Sequence, residues 1–370
     1  MIQQKVSTAI ALAAAMAVMV VAATSRQSFA DGGRVYLPLV RSAPVTEGEL
    51  NVIALPHDWC NYGAVIEGFR RTYGVKVNEL NPNAGSSDEL QAIRDNKDGG
   101  ALAPDVIDVG PAFGDLAKAE RLIQPYKVNT WATIPAGAKD ADGYWYGDYF
   151  GMVAFMINKE VVPNSPLLWA DLRKPEYHGQ VALSGDPRLS NQAIQSVQAA
   201  SLGNGGVVEN PMPGLEFFHD LYASGNLSTV IATNARVASG ETPVRITWDY
   251  NALAGRDSIG GDPPIAVIAP EDGLLAGFYV QAISAYAPHP KAARLWMEYL
   301  YSDAGQLAWM QGYCHPVREA DLRTRDVVPK DIAAKMPDAS GAIFPTSQQL
   351  ANGKAIVVNN WDAVVGADIH

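Results

Sequence analysis

The sequence predicts an α/β protein built as two packed lobes, and three observations predict it. The chain has 370 residues, more than the roughly 250–300 at which a single hydrophobic core stops growing. Short β-branched runs alternate with amphipathic helical patterns along it, the signature of α/β layering with a largely parallel sheet. Several of these strands end in loops rich in aromatic and acidic side chains, where sheets of this class bind ligands. Composition agrees: hydrophobic residues make up 48% and charged residues 18%, the balance of a folded globular chain. With 28 Lys and Arg against 39 Asp and Glu, the net charge is −11. That acid excess offers no basic footprint for a phosphate backbone, and nucleic acid is excluded as a partner.

The N-terminus sets the compartment. Lys5 precedes an uncharged run from Ala9 to Ala23, and Ser28-Phe29-Ala30 follows with small residues around one aromatic. This is the pattern of a secretory signal over residues 1–30, cleaved after Ala30. The run is shorter than the ~20 residues that span a bilayer. Cleavage would remove Lys5 and Arg26 and take the net charge from −11 to −13. Residues 31–48 have no helical or strand period and read as a flexible leader. A periplasmic location follows, and such a compartment permits disulfides. The two cysteines, Cys60 and Cys314, are read as a bridge, with two buried thiols or a metal pair as alternatives. No CxxC or HxxxH spacing accompanies them, which argues against zinc.

The folded body opens with a strand, ELNVIAL (49–55), and the loop PHDWCNYG (56–63). Val65, Ile66, Phe69 and Tyr73 recur at helical spacing over 64–73, Gly74 stops that helix, and VKVNEL (75–80) is a strand. Ser86 with Glu89 predicts a capping box that opens a helix through Ile93. APDVIDVG (103–110) is a buried strand and 116–122 a helix. The aromatic stretch 142–158 ends in an apolar strand. Val181–Leu183 is a strand that leads to helices over 191–202 and 214–223. The strand at 244–254 places Trp248, Asp249 and Tyr250 at its carboxyl end. Residues 263–318 supply two strands and an amphipathic helix in which Ala292, Leu295, Trp296, Tyr299 and Leu300 share a face. IVVNNWDAVV (356–365) fits strand and helix equally.

No nucleophile elbow, phosphate loop, HExxH or GxGxxG motif is present in the sequence. A hydrolytic reading would have to rest on His57 beside Asp58, and a sequence neighbour pair has no geometric content for acid–base work. No catalytic residue and no cofactor are assigned. Instead, strand-end loops gather aromatics beside carboxylates: Asp58, Trp59 and Tyr62; Phe113; Asp186 with Arg188; Trp248, Asp249 and Tyr250; and Tyr279. Ring faces next to anions suit a cationic or zwitterionic ligand, and Arg188 would hold a carboxylate or phosphonate end by bidentate hydrogen bonds.

Four stretches, in order, resemble the periplasmic solute-binding proteins of ABC importers, in the subgroup that embraces ferric-ion, thiamine, polyamine and aminophosphonate binders. They are HDWCNYG with FRRTYGVKV; APDVIDVG; YFGMVAFMINKEVV through WADLRKPEYHGQVALSGDPRLSNQA; and IAVIAPEDG through QAISAYAPHPKAARLWMEYLYSDAGQLAWMQGYCHPVR. The resemblance implies a type II two-lobe fold, with lobe 1 over 49–152 and 277–330, lobe 2 over 153–276, and 331–370 unassigned. It implies a monomer that clamps a small solute in a ligand cleft between the lobes and delivers it to a membrane permease. By position, Trp59, Tyr62, Phe113, Asp186 and Trp248 match ligand positions of polyamine binders. A second carboxylate of those proteins is Leu189 here, and a later one is Tyr279, which breaks the diamine pattern. Ferric binders of the group use two adjacent tyrosines; this chain has Asp249-Tyr250, and only these would serve a ferric ion. A small organic amine or zwitterion is the expected solute, with ferric ion second.

Overall fold

The computed structural model describes residues 47–339 and 341–370. The expected signal segment, and the leader up to Thr46, lie outside the described residues. The first stretch runs β1 (Glu49–Ile53), α1 (Tyr62–Tyr73), β2 (Lys76–Leu80), α2 (Ser86–Asp95), β3 (Val106–Val109), α3 (Pro111–Ala119), β4 (Ile123–Gln124) and β5 (Tyr146–Asn158). It continues with β6 (Val181–Leu183), α4 (Asn191–Gly203), α5 (Met212–Ala223), α6 (Asn234–Ser239), β7 (Val244–Trp248), α7 (Asp249–Ile259) and β8 (Ile265–Ile268). Then come β9 (Ala276–Ser284), α8 (Pro290–Leu300), α9 (Asp303–Gln311), β10 (His315–Pro316), α10 (Glu319–Thr324), α11 (Lys330–Ala333) and α12 (Ser347–Val364).

Strand β5 organises the fold. Its first half, Tyr146 to Met152, pairs antiparallel with β9. Its second half pairs antiparallel with β7 through Val153–Ile157 and with β8 through Phe155–Asn158. Two sheet halves therefore share one strand: β3, β4 and β9 on one side, β6, β7 and β8 on the other. The apolar run Met152 to Ile157 is fully buried, as befits a strand covered on both faces. The expectation of a largely parallel sheet is corrected here. Among the named strands, only β1 with β2 and β6 with β7 pair in parallel; the rest are antiparallel, because β5 runs through both halves against β9 in one and against β7 and β8 in the other. Beside this sheet, β1 is tied to the segment before β3, where the Asn51 N–H donates to Asp105 Oδ2 at 2.6 Å.

Local signals are refined by the structure. Ser86 is the first residue of α2, not its cap; the cap is Gly85, whose N–H donates to Asp88 Oδ2 at 3.0 Å. The residues read as a capping box do other work: Ser86 Oγ accepts from the Gly110 N–H (3.1 Å), and a Glu89 carboxylate oxygen accepts from the Asp108 N–H (2.8 Å). The helix expected at 116–122 starts earlier, at Pro111, because proline suits the first helical position. The ambiguous 356–365 stretch is the second half of α12. Thr346 and Gln349 cap that helix reciprocally, and Leu350, Gly353, Val357 and Trp361 form its buried face. This helix packs on α4 and α5 and also on α3.

The expected disulfide is present: Cys60 and Cys314 are bridged, with Cα atoms 5.7 Å apart. It binds the loop before α1 to the turn after α9. The join is tight, since a Cβ on Gly312 would lie 2.6 Å from that of Asn61, and Asn61 Nδ2 donates to the Ala308 carbonyl at 2.9 Å. Cys60 and Asn61 both take left-handed φ angles, 47° and 62°, a conformation that needs such support in residues with a side chain.

Candidate functional site

The site lies where β5 passes from one sheet half to the other. From the β9 half come the loop carrying Trp59, the start of α1 with Tyr62, Asp108 of β3, Asp148 and Tyr149 of β5, and Tyr279 and Gln281 of β9. From the β7 half come Trp248, at the end of β7, and Asp249 and Tyr250, which open α7. The rings meet edge to face: Trp59 lies 5.6 Å from both Tyr250 and Tyr279, while Tyr149 stacks on Tyr279 at 5.8 Å. Trp248 and Tyr250 stack at 6.2 Å. Trp59 Nε1 donates to the Tyr149 hydroxyl at 2.7 Å. Glycines make this close approach possible. A Cβ on Gly277, next to the crossing, would run into the Trp248 ring, and one on Gly151 would meet Tyr250.

Behind the rings lie carboxylates with no Lys or Arg paired to them among the described residues. Asp108 Oδ2 accepts from the Tyr62 (2.8 Å) and Tyr149 (3.0 Å) hydroxyls. Gln281 Nε2 donates to Asp148 Oδ2 at 3.1 Å and to the Tyr62 hydroxyl at 2.8 Å. Asp249 Oδ1 accepts the backbone N–H groups of Met152 (3.0 Å) and Tyr250 (2.8 Å). Among the described residues, Asp108 Oδ1, Asp249 Oδ2 and the Tyr250 hydroxyl are buried with no partner. Burial without a counter-charge favours the neutral form of an acid. Desolvation accordingly pushes Asp249 up to about 6 and Asp148 up to about 7, and raises Asp108 and Glu89 well above the usual carboxylate range. The tyrosine phenols are pushed upward too, Tyr149 and Tyr250 chiefly by burial and then by neighbouring acids and phenols.

A cavity of about 150 Å³ opens beside Trp59, lined also by Asp58, Asn234, Arg245 and Asn251. Of the residues singled out from sequence, Trp59, Tyr62, Trp248, Asp249, Tyr250 and Tyr279 thus come together, and Asp58 joins them at the cavity. Four lie elsewhere. Phe113 is buried on α3 under the Lys354 ammonium, 3.1 Å from its ring centre. Asp186 and Arg188 pair with each other, and Arg188 also reaches Asp362 (3.0 Å) and Asp368 (2.9 Å) of the C-terminal segment. His57 turns outward onto Glu79. Glu89, Asp108, Asp148, Tyr149, Arg245 and Gln281 were not singled out. An acid inside the apolar strand VIDV was the available signal for Asp108, because a buried charge is retained at a cost.

Comparison with known proteins gives the family and the fold. The chain is 24% identical over 328 residues to the spermidine/putrescine-binding periplasmic protein of Escherichia coli K12, covering 84% of this chain and 86% of that one. In fold it resembles the periplasmic binding protein AfuA of Actinobacillus pleuropneumoniae, solved with fructose-6-phosphate bound. That match has a TM-score of 0.69 at 17% identity and covers 87% of this chain and 99% of the other. An ABC transporter substrate-binding protein from Bradyrhizobium japonicum gives 0.68 at 14% identity, over 86% and 99%. The matches carry the two-lobe fold that the shared strand β5 already suggests. Residues 102–342 match the bacterial extracellular solute-binding protein family, and the chain belongs to that family.

Proposed function

We propose that the protein is an exported, monomeric receptor that clamps a small organic amine or zwitterion between its lobes, passes it unchanged to an ABC importer permease, and catalyses no reaction. The observation that carries the ligand class is the group of buried acids, Asp108, Asp148 and Asp249, set behind an aromatic wall with no Lys or Arg paired to them among the described residues. A cation entering between the rings supplies the missing counter-charge and meets ring faces that favour it. The Escherichia coli relative, named for spermidine and putrescine, supports the same class. A ferric site fits less well, since binding iron through Tyr250 requires ionising a phenol that burial holds protonated.

In this reading lobe 1 comprises 49–152 and 277–330, lobe 2 comprises 153–276, and α12 joins lobe 2. Its Trp361 ring lies 5.9 Å from Phe218, and the Ile231 N–H donates to the His370 carbonyl at 2.8 Å. Calorimetry with polyamines, betaines and ω-amino acids tests the ligand class, with mass spectrometry of the recovered ligand. Binding of one such amine, recovered unchanged, is the expected result. Turnover of the ligand, or binding of Fe³⁺ with a tyrosinate charge-transfer band and no amine binding, would overturn it. Trp59→Ala should weaken the amine by ~1–3 kcal/mol through lost stacking and burial.

A further inference from the structure

We propose that Arg245 forms an anion subsite in the same cleft, so that the solute is an amine carrying an oxyanion, carboxylate or phosphonate, at its other end. This rests on the amine reading and narrows it. Arg245, the second residue of β7, lines the cavity beside Trp59. Its Nε donates to Ser184 Oγ at 2.8 Å and its Nη1 to Asn234 Oδ1 at 2.6 Å. Ser184 is itself fixed, donating to the Ile246 carbonyl at 2.7 Å. Both acceptors are neutral, so they aim the guanidinium without neutralising it. The Nη2 edge carries no hydrogen bond, and Arg245 has no ion pair among the described residues.

A half-buried guanidinium held in one orientation, with the Asp58 carboxylate near enough to act on it but not in ion-pair contact, suits a planar or tetrahedral oxyanion, which it binds as a fork. Burial lowers Arg245 to about 10, so it stays charged at neutral pH. Asn251 and Ser258 of α7 add polar groups to the same wall, and Asp58 and Trp59 face them from the other lobe. Arg245 thus lines the cavity that Trp59 borders, while Asp108 and Asp249 lie among the rings Trp59 packs against. The volume, about 150 Å³, admits an acid group with a short alkyl spacer. Arg188, to which this task fell by sequence, already holds three carboxylates and has no such capacity.

The test compares three matched series by calorimetry, each with three to six methylenes: α,ω-diamines, ω-amino acids and ω-aminoalkylphosphonates. Wild type should bind a member of one of the acid-bearing series at least 30-fold more tightly than the diamine of equal length, and the better of the two series identifies the oxyanion. Arg245→Met should reduce that preference at least 30-fold. Asn234→Asp should do the same with the arginine kept, because it places a carboxylate where the amide oxygen now meets the guanidinium; it carries the test if Arg245→Met does not fold. Diamine binding equal to or tighter than that of the acids, or equal losses for all series in both variants, overturns the subsite and leaves the amine reading standing. No binding by any member of the three series overturns both.

Discussion

Asp249 shows how one residue couples the site to pH. It occupies the first turn of α7, where the helix dipole favours a negative charge, yet its buried side chain titrates at about 6 against an ordinary 3.8. Between those values the folded state holds a proton that the unfolded state has released, so stability falls as pH rises through this window and stays lower above it. Asp249→Asn removes that penalty. From pH 4 to pH 8 the variant should gain ~2 kcal/mol in unfolding free energy relative to wild type, read from urea denaturation at both pH values. A constant difference between the two proteins would show that Asp249 is ionised at little cost. Ligand binding runs the other way. A cationic amine needs the ionised acids, so its affinity should rise with pH through the range set by Asp249, about 6, and Asp148, about 7.

Among the elements, the join of α1, α9 and the Cys60–Cys314 bridge governs how firmly Trp59 is held. The bridge closes a sequence separation of 254 residues and supports two consecutive left-handed residues next to the ring. Cys314→Ser should lower unfolding free energy by ~2–5 kcal/mol and also weaken amine binding, since Trp59 loses its anchored neighbour. Unchanged affinity in a folded variant would mean that the loop keeps its shape unaided. Elements of this kind were legible where apolar periodicity is clean: α1, α4 and α5 fall within about two residues of their sequence positions. Strand direction was not legible, because alternation of strand and helix is the same whether β5 and β9 run with or against their neighbours. Likewise, aromatics beside acids marked Trp59, Trp248, Asp249 and Tyr250 in the sequence. Asp148 and Gln281 carry no such mark; they meet only because β5 pairs with β9, residues 133 positions apart. Arg188 looked free in the sequence because two of its three carboxylate partners lie more than 170 residues later.

At the scale of the whole body, the described structure is a closed one. The cleft rings touch one another, and a Cβ on Gly110 of the β9 half would lie 2.7 Å from the Asn191 side chain at the start of α4. Lys354 of α12 reaches Phe113 of α3 across the same gap, its ammonium lowered to about 8 by burial. A solute cannot pass between Trp59 and Tyr250 while these contacts hold, so entry requires the halves to part. β5 changes partners between Met152 and Val153, and β9 begins opposite that point, which places the bend where the fewest pairings must break. Such hinge closure is within the repertoire of two-lobe binding proteins. The ligand-free protein should therefore have a larger radius of gyration in solution than the amine-bound one, measured by small-angle scattering. At a ligand concentration 100 times Kd the bound form should be ~2.7 kcal/mol more stable. Amide exchange should slow on binding around Gly110 and Asn191, which meet only when the cleft is shut, and stay unchanged in the centre of β7. An amine that stabilises the protein by this amount while leaving both the scattering and the exchange at Gly110 unaltered would show that the cleft is closed before the ligand arrives.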